Sequence, residues 1–252
     1  MKLFIKKSSI VFVTLILIVV VTLVFRNKSL PEISDESLPQ LIQAKWIDLR
    51  RFVSISNFRS RMGLDFSGNG ETCRSMKHYF NPLRTQEDEL TVSQNNGYPP
   101  AFSLEGAIPI YTPINGEIIS IEDEGDFGEQ IYIRSEDYPE FTVRLFHIYL
   151  LDGFEEGSEV KAGEQIGNIG EIQNTDIAVT KGSPYDDHFV SYFEVMPDEV
   201  FAEYHELGIE SREDLILTKE YRDTHPLECN GEQFAENYDL TNSDEFVYIN
   251  RK

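Results

Sequence analysis

Apolar and polar residues alternate through the middle of this chain and fall into three- and four-residue spacings on either side of it. From 108 to 150 the stretch IPIYTPINGEIISIEDEGDFGEQIYIRSEDYPEFTVRLFHIYL is broken by turn residues at Asn115-Gly116, near Gly125 and Gly128, and at Pro139. That rhythm predicts short antiparallel strands joined by hairpins. DIAVT (176–180) and FVSYFEVM (189–196) predict two more strands. Before this region Leu41, Ile42, Trp46, Leu49, Phe52 and Val53 form one stripe at helical spacing, which predicts a helix packed on the domain. After Pro197, DEVFAEYHELG sets Val200, Phe201, Tyr204 and Leu207 on one face and stops at Gly208, a second predicted helix. Residues 85–99 are polar and read as exposed, and residues 62–82 read as an irregular, glycine-bearing loop of the kind that carries function.

The first 28 residues differ from the rest. Lys2, Lys6 and Lys7 precede an uncharged run over 8–25, and Arg26 and Lys28 follow it. That run approaches the ~20 apolar residues that span a bilayer. No small-residue cleavage site follows, so the pattern predicts an uncleaved single-pass anchor. The greater basic charge ahead of the span places the N-terminus in the cytoplasm and the main domain outside. The chain carries −22 overall, and −27 beyond residue 28, where the five basic residues of the anchor no longer count. This acidity excludes phosphate-driven binding to nucleic acid and suits cationic partners, divalent ions or a salty exterior.

GSEVKAGEQIGNIG (157–170) places glycines between regularly spaced apolar residues, as corners of small β-hairpins require. Together with IPIYTPINGEIISI and VRLFHIYL it resembles the lysostaphin-type (LytM-like) zinc metallopeptidases, over about 90 of the 252 residues. The resemblance implies a mainly β fold, an antiparallel sandwich of the duplicated hybrid motif type with helical decorations. It places His147 on the groove histidine of that family. The family's zinc is held by an H-x-G-x-D motif and by the second histidine of HLHFEV, leaving one position open to water. The counterparts are RMGLDF, with Arg61 for the histidine but Gly63 and Asp65 kept, and VSYFEV, with Val190 and Tyr192 for the histidines. One of three ligands remains, so no cofactor is expected. The implied function is a non-catalytic envelope domain that binds peptidoglycan or an envelope protein through a groove of Arg61, Asp65, His147 and Tyr192, regulating a cell-wall hydrolase.

Two alternatives stand beside it. One is an active metallopeptidase in which Asp65, His78, Asp176 and Glu194 hold zinc and His147 is the general acid or base. The other is a structural or adhesion ectodomain. In the bland reading of the same residues, Arg61 pairs with Asp65, Asp176 caps a strand and His147 is a half-buried, hydrogen-bonded histidine. Cys73 and Cys229 are the only cysteines. Outside the cytoplasm they read as a disulfide between the N-terminal loop and the tail. Alternatively, Cys73 with His78 and His225 with Cys229 read as a structural zinc site. The organisation implied is 1–28 cytoplasmic tip and anchor, 29–60 linker and juxtamembrane helix, 61–195 β domain, and 196–252 helical and irregular extension.

Overall fold

A computed structural model describes residues 38–95, 98–182, 188–236 and 245–249. The proposed anchor at 8–25 lies outside the described residues. Among those described, no helix is long and apolar enough to cross a membrane.

The architecture is mainly antiparallel β with few helices, as the alternation predicts. The strands are β1 (Phe52–Ser56), β2 (His78–Pro82), β3 (Ile108–Tyr111), β4 (Gly116–Asp123), β5 (Glu129–Ser135), β6 (Phe141–Leu150), β7 (Glu159–Val160), β8 (Gln165–Ile169), β9 (Thr175–Lys181), β10 (Phe189–Val190), β11 (Cys229–Asn230), β12 (Gln233–Phe234) and β13 (Phe246–Tyr248). The main sheet runs β13-β1-β2-β9-β6-β5-β4-β7, with β10 also on β9 and with β8 bridging β6 and β3. The helices are α1 (Gln86–Gln94), α2 (Asp198–Glu206) and α3 (Lys219–Thr224).

The glycine cassette serves close strand approach. A Cβ on Gly167 would come within 2.4 Å of Ile148 Cγ2 and 2.8 Å of the Tyr149 carbonyl oxygen, so only glycine lets β8 lie against β6 there.

Three predicted elements differ. The stripe over 41–53 is not a helix but an extended segment, a 3-10 turn at Leu49–Arg51, and then β1. Its side chains are buried as the spacing required, with Trp46 edge-on to Phe80 at 5.0 Å, but its backbone bonds to the β domain instead of to itself. The Ile42 N–H donates to the Val195 carbonyl, and the Trp46 carbonyl accepts from Tyr111. Burial on all sides mimicked an amphipathic period. FVSYFEVM forms only the two-residue β10 before the chain turns, because the Glu194 carboxylate and the Ser191 hydroxyl accept the next backbone N–H groups. The polar stretch 85–99 contains α1, started by a Thr85/Asp88 capping box and almost wholly exposed.

The tail is part of the sheet. β13 extends it beside β1, and buried Arg222 and Glu245 pair at 3.2 Å. Cys73 and Cys229 form a disulfide with Cα atoms 5.7 Å apart. The Cys–His zinc reading fails, because His78 is held by Ser56 and Ser191 and His225 by Tyr221 and Thr224. A cross-link spanning 156 residues restricts the unfolded chain strongly. The double variant Cys73→Ser/Cys229→Ser is expected to lose on the order of 4 kcal/mol of stability in urea unfolding, with the β signature of its circular dichroism kept.

Candidate functional site

The site begins with a bulge. β5 and β6 pair Ile131 with Leu145 and then Glu129 with Ile148, so Phe146 and His147 together face Gln130. One extra residue in β6 re-aims the next side chain. His147 takes φ +64°, a left-handed conformation that is uncommon for a residue with a Cβ. Glu124, at the end of the β4–β5 hairpin, holds it there: its Oε2 accepts the His147 backbone N–H at 2.8 Å and lies 3.0 Å from Nδ1. The hairpin can come that close because residue 128 is glycine. A Cβ on Gly128 would meet the Ile148 carbonyl oxygen at 2.6 Å.

On the other side of the ring, His147 Nε2 lies 3.2 Å from Asp176 Oδ1. Asp176 stands near the start of β9, opposite Phe146 of β6 and Tyr79 of β2, and is fully buried. Its second oxygen is 2.6 Å from Lys77 Nζ. Lys77 ends in an aromatic box, 3.8 Å from the Phe146 ring centroid, 4.5 Å from Phe66 and 5.2 Å from Tyr79. Four charges therefore alternate in a row: Glu124, His147, Asp176, Lys77.

Burial pulls the His147 pKa down, but Asp176 and then Glu124 reverse this and raise it to about 9. Burial pushes the Asp176 carboxyl up, and Lys77 and His147 hold it below the usual range nonetheless. Lys77 is pulled down by burial and pushed back above its ordinary value by Asp176. All three groups are charged at neutral pH.

The other residues of the anticipated groove lie elsewhere. Tyr192 is fully buried near Phe193 and Tyr204, so it lines no groove. Arg61 pairs with Glu236 and Glu245, at 3.3 Å each, and not with Asp65. Asp65 accepts the Cys73 and Arg74 N–H groups and the Ser67 hydroxyl within its own loop. That loop packs on the sheet through Phe66, which contacts Phe146 and Phe189. His78 is buried away from Lys77, bonded to the Ser56 carbonyl and the Ser191 hydroxyl, and burial lowers its pKa to about 4. Glu194 is exposed and caps the Ser191 turn. Asp176 caps no strand.

The strand beside that of His147 is β9, with Asp176, rather than VSYFEV. Lys77 and Glu124 were missed. Lys77 has one sequence signal, a lysine flanked by Met76 and His78 at the start of a strand; Glu124 has none beyond its place in an acidic hairpin.

No protein-family model matches the chain, and no curated protein matches it. Solved structures do. A chain of the SpoIIQ–SpoIIIAH pore-forming complex is similar at 12% identity and TM-score 0.40, over 65% of this chain and 98% of that one. Csd3 of Helicobacter pylori is similar at 14% and 0.41, over 66% of this chain but only 40% of Csd3. The catalytic domain of the antimicrobial peptidase lysostaphin from Staphylococcus simulans is similar at 15% and 0.36, over 57% of this chain and 90% of that domain. The solved structures that this chain resembles thus include lysostaphin-type peptidases, the class that its motifs resemble.

Zinc does not fit the residues present. Both nitrogens of His147 already face carboxylates, at 3.0 Å and 3.2 Å, so a metal could reach the ring only by displacing one of them. The second oxygen of Asp176 already faces the Lys77 ammonium group. Among the described residues, no group of three or more His, Cys, Asp or Glu side chains could hold a metal ion.

The ion row and His78 make two predictions. Asp176→Asn leaves Lys77 buried without its counter-ion and is expected to cost about 3–5 kcal/mol in chemical unfolding, while adding Lys77→Met restores most of the loss. The two histidines also shape stability against pH in opposite directions. His147 rises from 6.5 to about 9 on folding, so its contribution is complete below 6.5 and disappears as pH climbs toward 9. His78 falls from 6.5 to about 4, so its contribution is complete above 6.5 and disappears as pH drops toward 4. Each amounts to on the order of 3 kcal/mol. Urea unfolding across this range should show His147→Gln flattening the alkaline decline and His78→Asn flattening the acid one.

Proposed function

We propose that this chain is a membrane-anchored, extracytoplasmic and non-catalytic domain on a lysostaphin-type fold. It binds peptidoglycan or an envelope protein and regulates a cell-wall hydrolase. The observation that carries this is the Lys77 ammonium 2.6 Å from Asp176, beside His147. Amide hydrolysis at such a site needs an activated water and a base free to take its proton. His147, protonated and held from both sides, is no base at neutral pH. The fixed cation supplies the carboxylate's counter-charge.

The rival metallopeptidase needs Asp65, His78, Asp176 and Glu194 to converge. One is tied into its own loop, one is buried on two serines, one is paired with Lys77 and one caps a surface turn. The anchoring part of the reading rests on the uncharged run at 8–25 and its basic flanks.

The test is co-sedimentation of the full chain in detergent with purified cell-wall sacculi, combined with an assay for newly released amino groups, with and without added zinc. Retention on the wall or on a wall-bound protein, with no release, is the expected result. Zinc-dependent release that His147→Ala abolishes would overturn the proposal. Neither retention nor release would favour the adhesion reading.

A further inference from the structure

With Phe66 packed over Lys77 and Phe146, the open surface beside His147 lies on its other flank. There, residues 98–102 are laid against the β4–β5 hairpin and the end of β6, enclosing a cleft of about 790 Å³. Its walls are Tyr98, Pro99, Pro100, Phe102, Phe127 and Tyr149. Phe102 stacks on Tyr149 at 3.8 Å between ring centroids, Tyr98 reaches Phe127 at 5.6 Å, and Phe127 stands 6.0 Å from the His147 ring. The aromatic surface is not buried by the fold: Tyr98 is 56% exposed. Among the described residues, six large apolar side chains are strongly exposed, and one of them, Tyr98, lines this cleft beside three half-buried aromatic rings. A cluster of accessible aromatic surface of this kind marks an interaction site.

Charge selects the occupant. Residues 85–133, which supply every wall of the cleft except Tyr149, contain ten Asp and Glu and no Lys, Arg or His. Asp126 lines the cleft itself. Burial raises the Tyr149 pKa, and the negative fields of Asp126 and Glu129 raise it further. An anionic polymer is repelled from such a cleft. A cation is attracted twice, by the carboxylates and by the faces of the rings. Extended chains dock on aromatic-lined grooves of this type.

We infer that the cleft formed by Tyr98, Phe102, Phe127 and Tyr149 binds an extended lysine- or arginine-bearing segment of a partner protein. This rests on the reading of the chain as a binding domain and names the kind of partner.

The test uses a fluorescein-labelled peptide of six Lys-Pro repeats, which cannot form a helix, with the Glu-Pro counterpart as control. Anisotropy titration of the full chain at physiological ionic strength is expected to show saturable binding of Lys-Pro and none of Glu-Pro. Tyr98→Ala and Asp126→Asn should each weaken binding about tenfold or more. Glu136→Gln removes the same charge at a separate surface pocket and should change it less than twofold. Equal losses for Asp126→Asn and Glu136→Gln, or no effect of Tyr98→Ala, would mean general attraction to an acidic protein and would overturn the inference. Absence of binding would overturn it also. A chain that sediments with the wall but ignores the peptide leaves the proposed function standing. A chain that hydrolyses the wall removes that function whatever the peptide does.

Discussion

A buried ion pair, Lys77 with Asp176, sets what the rest of this molecule can do. A carboxylate in mid-sheet with no exposure is tolerable only when its charge is answered at close range, and Lys77 answers it at 2.6 Å. The ammonium group is in turn boxed by Phe146, Phe66 and Tyr79, which exclude water and lower the local dielectric. His147 joins the row because the β6 bulge turns its ring to Asp176 while Glu124 holds the strained backbone. Lys77 and His147 keep Asp176 ionised, and Asp176 favours the charged form of both in return. Such a row suits a rigid scaffold better than a reacting centre, in which at least one group must change charge.

The loop and tail around the row follow from the same constraint. The loop carrying Phe66 covers the aromatic box and is itself fixed by Arg59, Glu71 and Arg74, by the disulfide to Cys229, and by the tail strand β13 beside β1. On this side Phe66 packs over Lys77 and Phe146. The surface left open lies on the far side of His147, where its ring meets Phe127 and the acidic hairpin.

Much of the scaffold was legible from sequence. Alternation and turn residues over 108–150 correspond to β3 through β6, the glycine rhythm of 157–170 to the β7–β8 turns, and DEVFAEYHE to α2. The disulfide was expected from compartment and cysteine count. The misreadings have physical causes. Leu41, Ile42, Trp46 and Leu49 are buried from several sides in an extended segment, and such burial imitates a helical period when only the positions of apolar residues are visible. VSYFEV was matched by its letters, whereas the strand that pairs with β6 is β9, where register puts Asp176 opposite Phe146. Lys77 and Glu124 could not have been assigned, because their contacts depend on a bulge and on pairings between strands distant in sequence. His147 was found through the family resemblance, but its protonated state came only with its two carboxylate neighbours.

Asp176 is answered by a lysine, and the proposal of a metal-free site beside His147 rests on that pair. The most direct measurement is calorimetric titration of zinc into the full chain, prepared with its disulfide intact and freed of metal, and repeated on His147→Ala. No stoichiometric binding that depends on His147 is expected. One zinc per chain, bound tightly by the native protein and lost on that substitution, would contradict it.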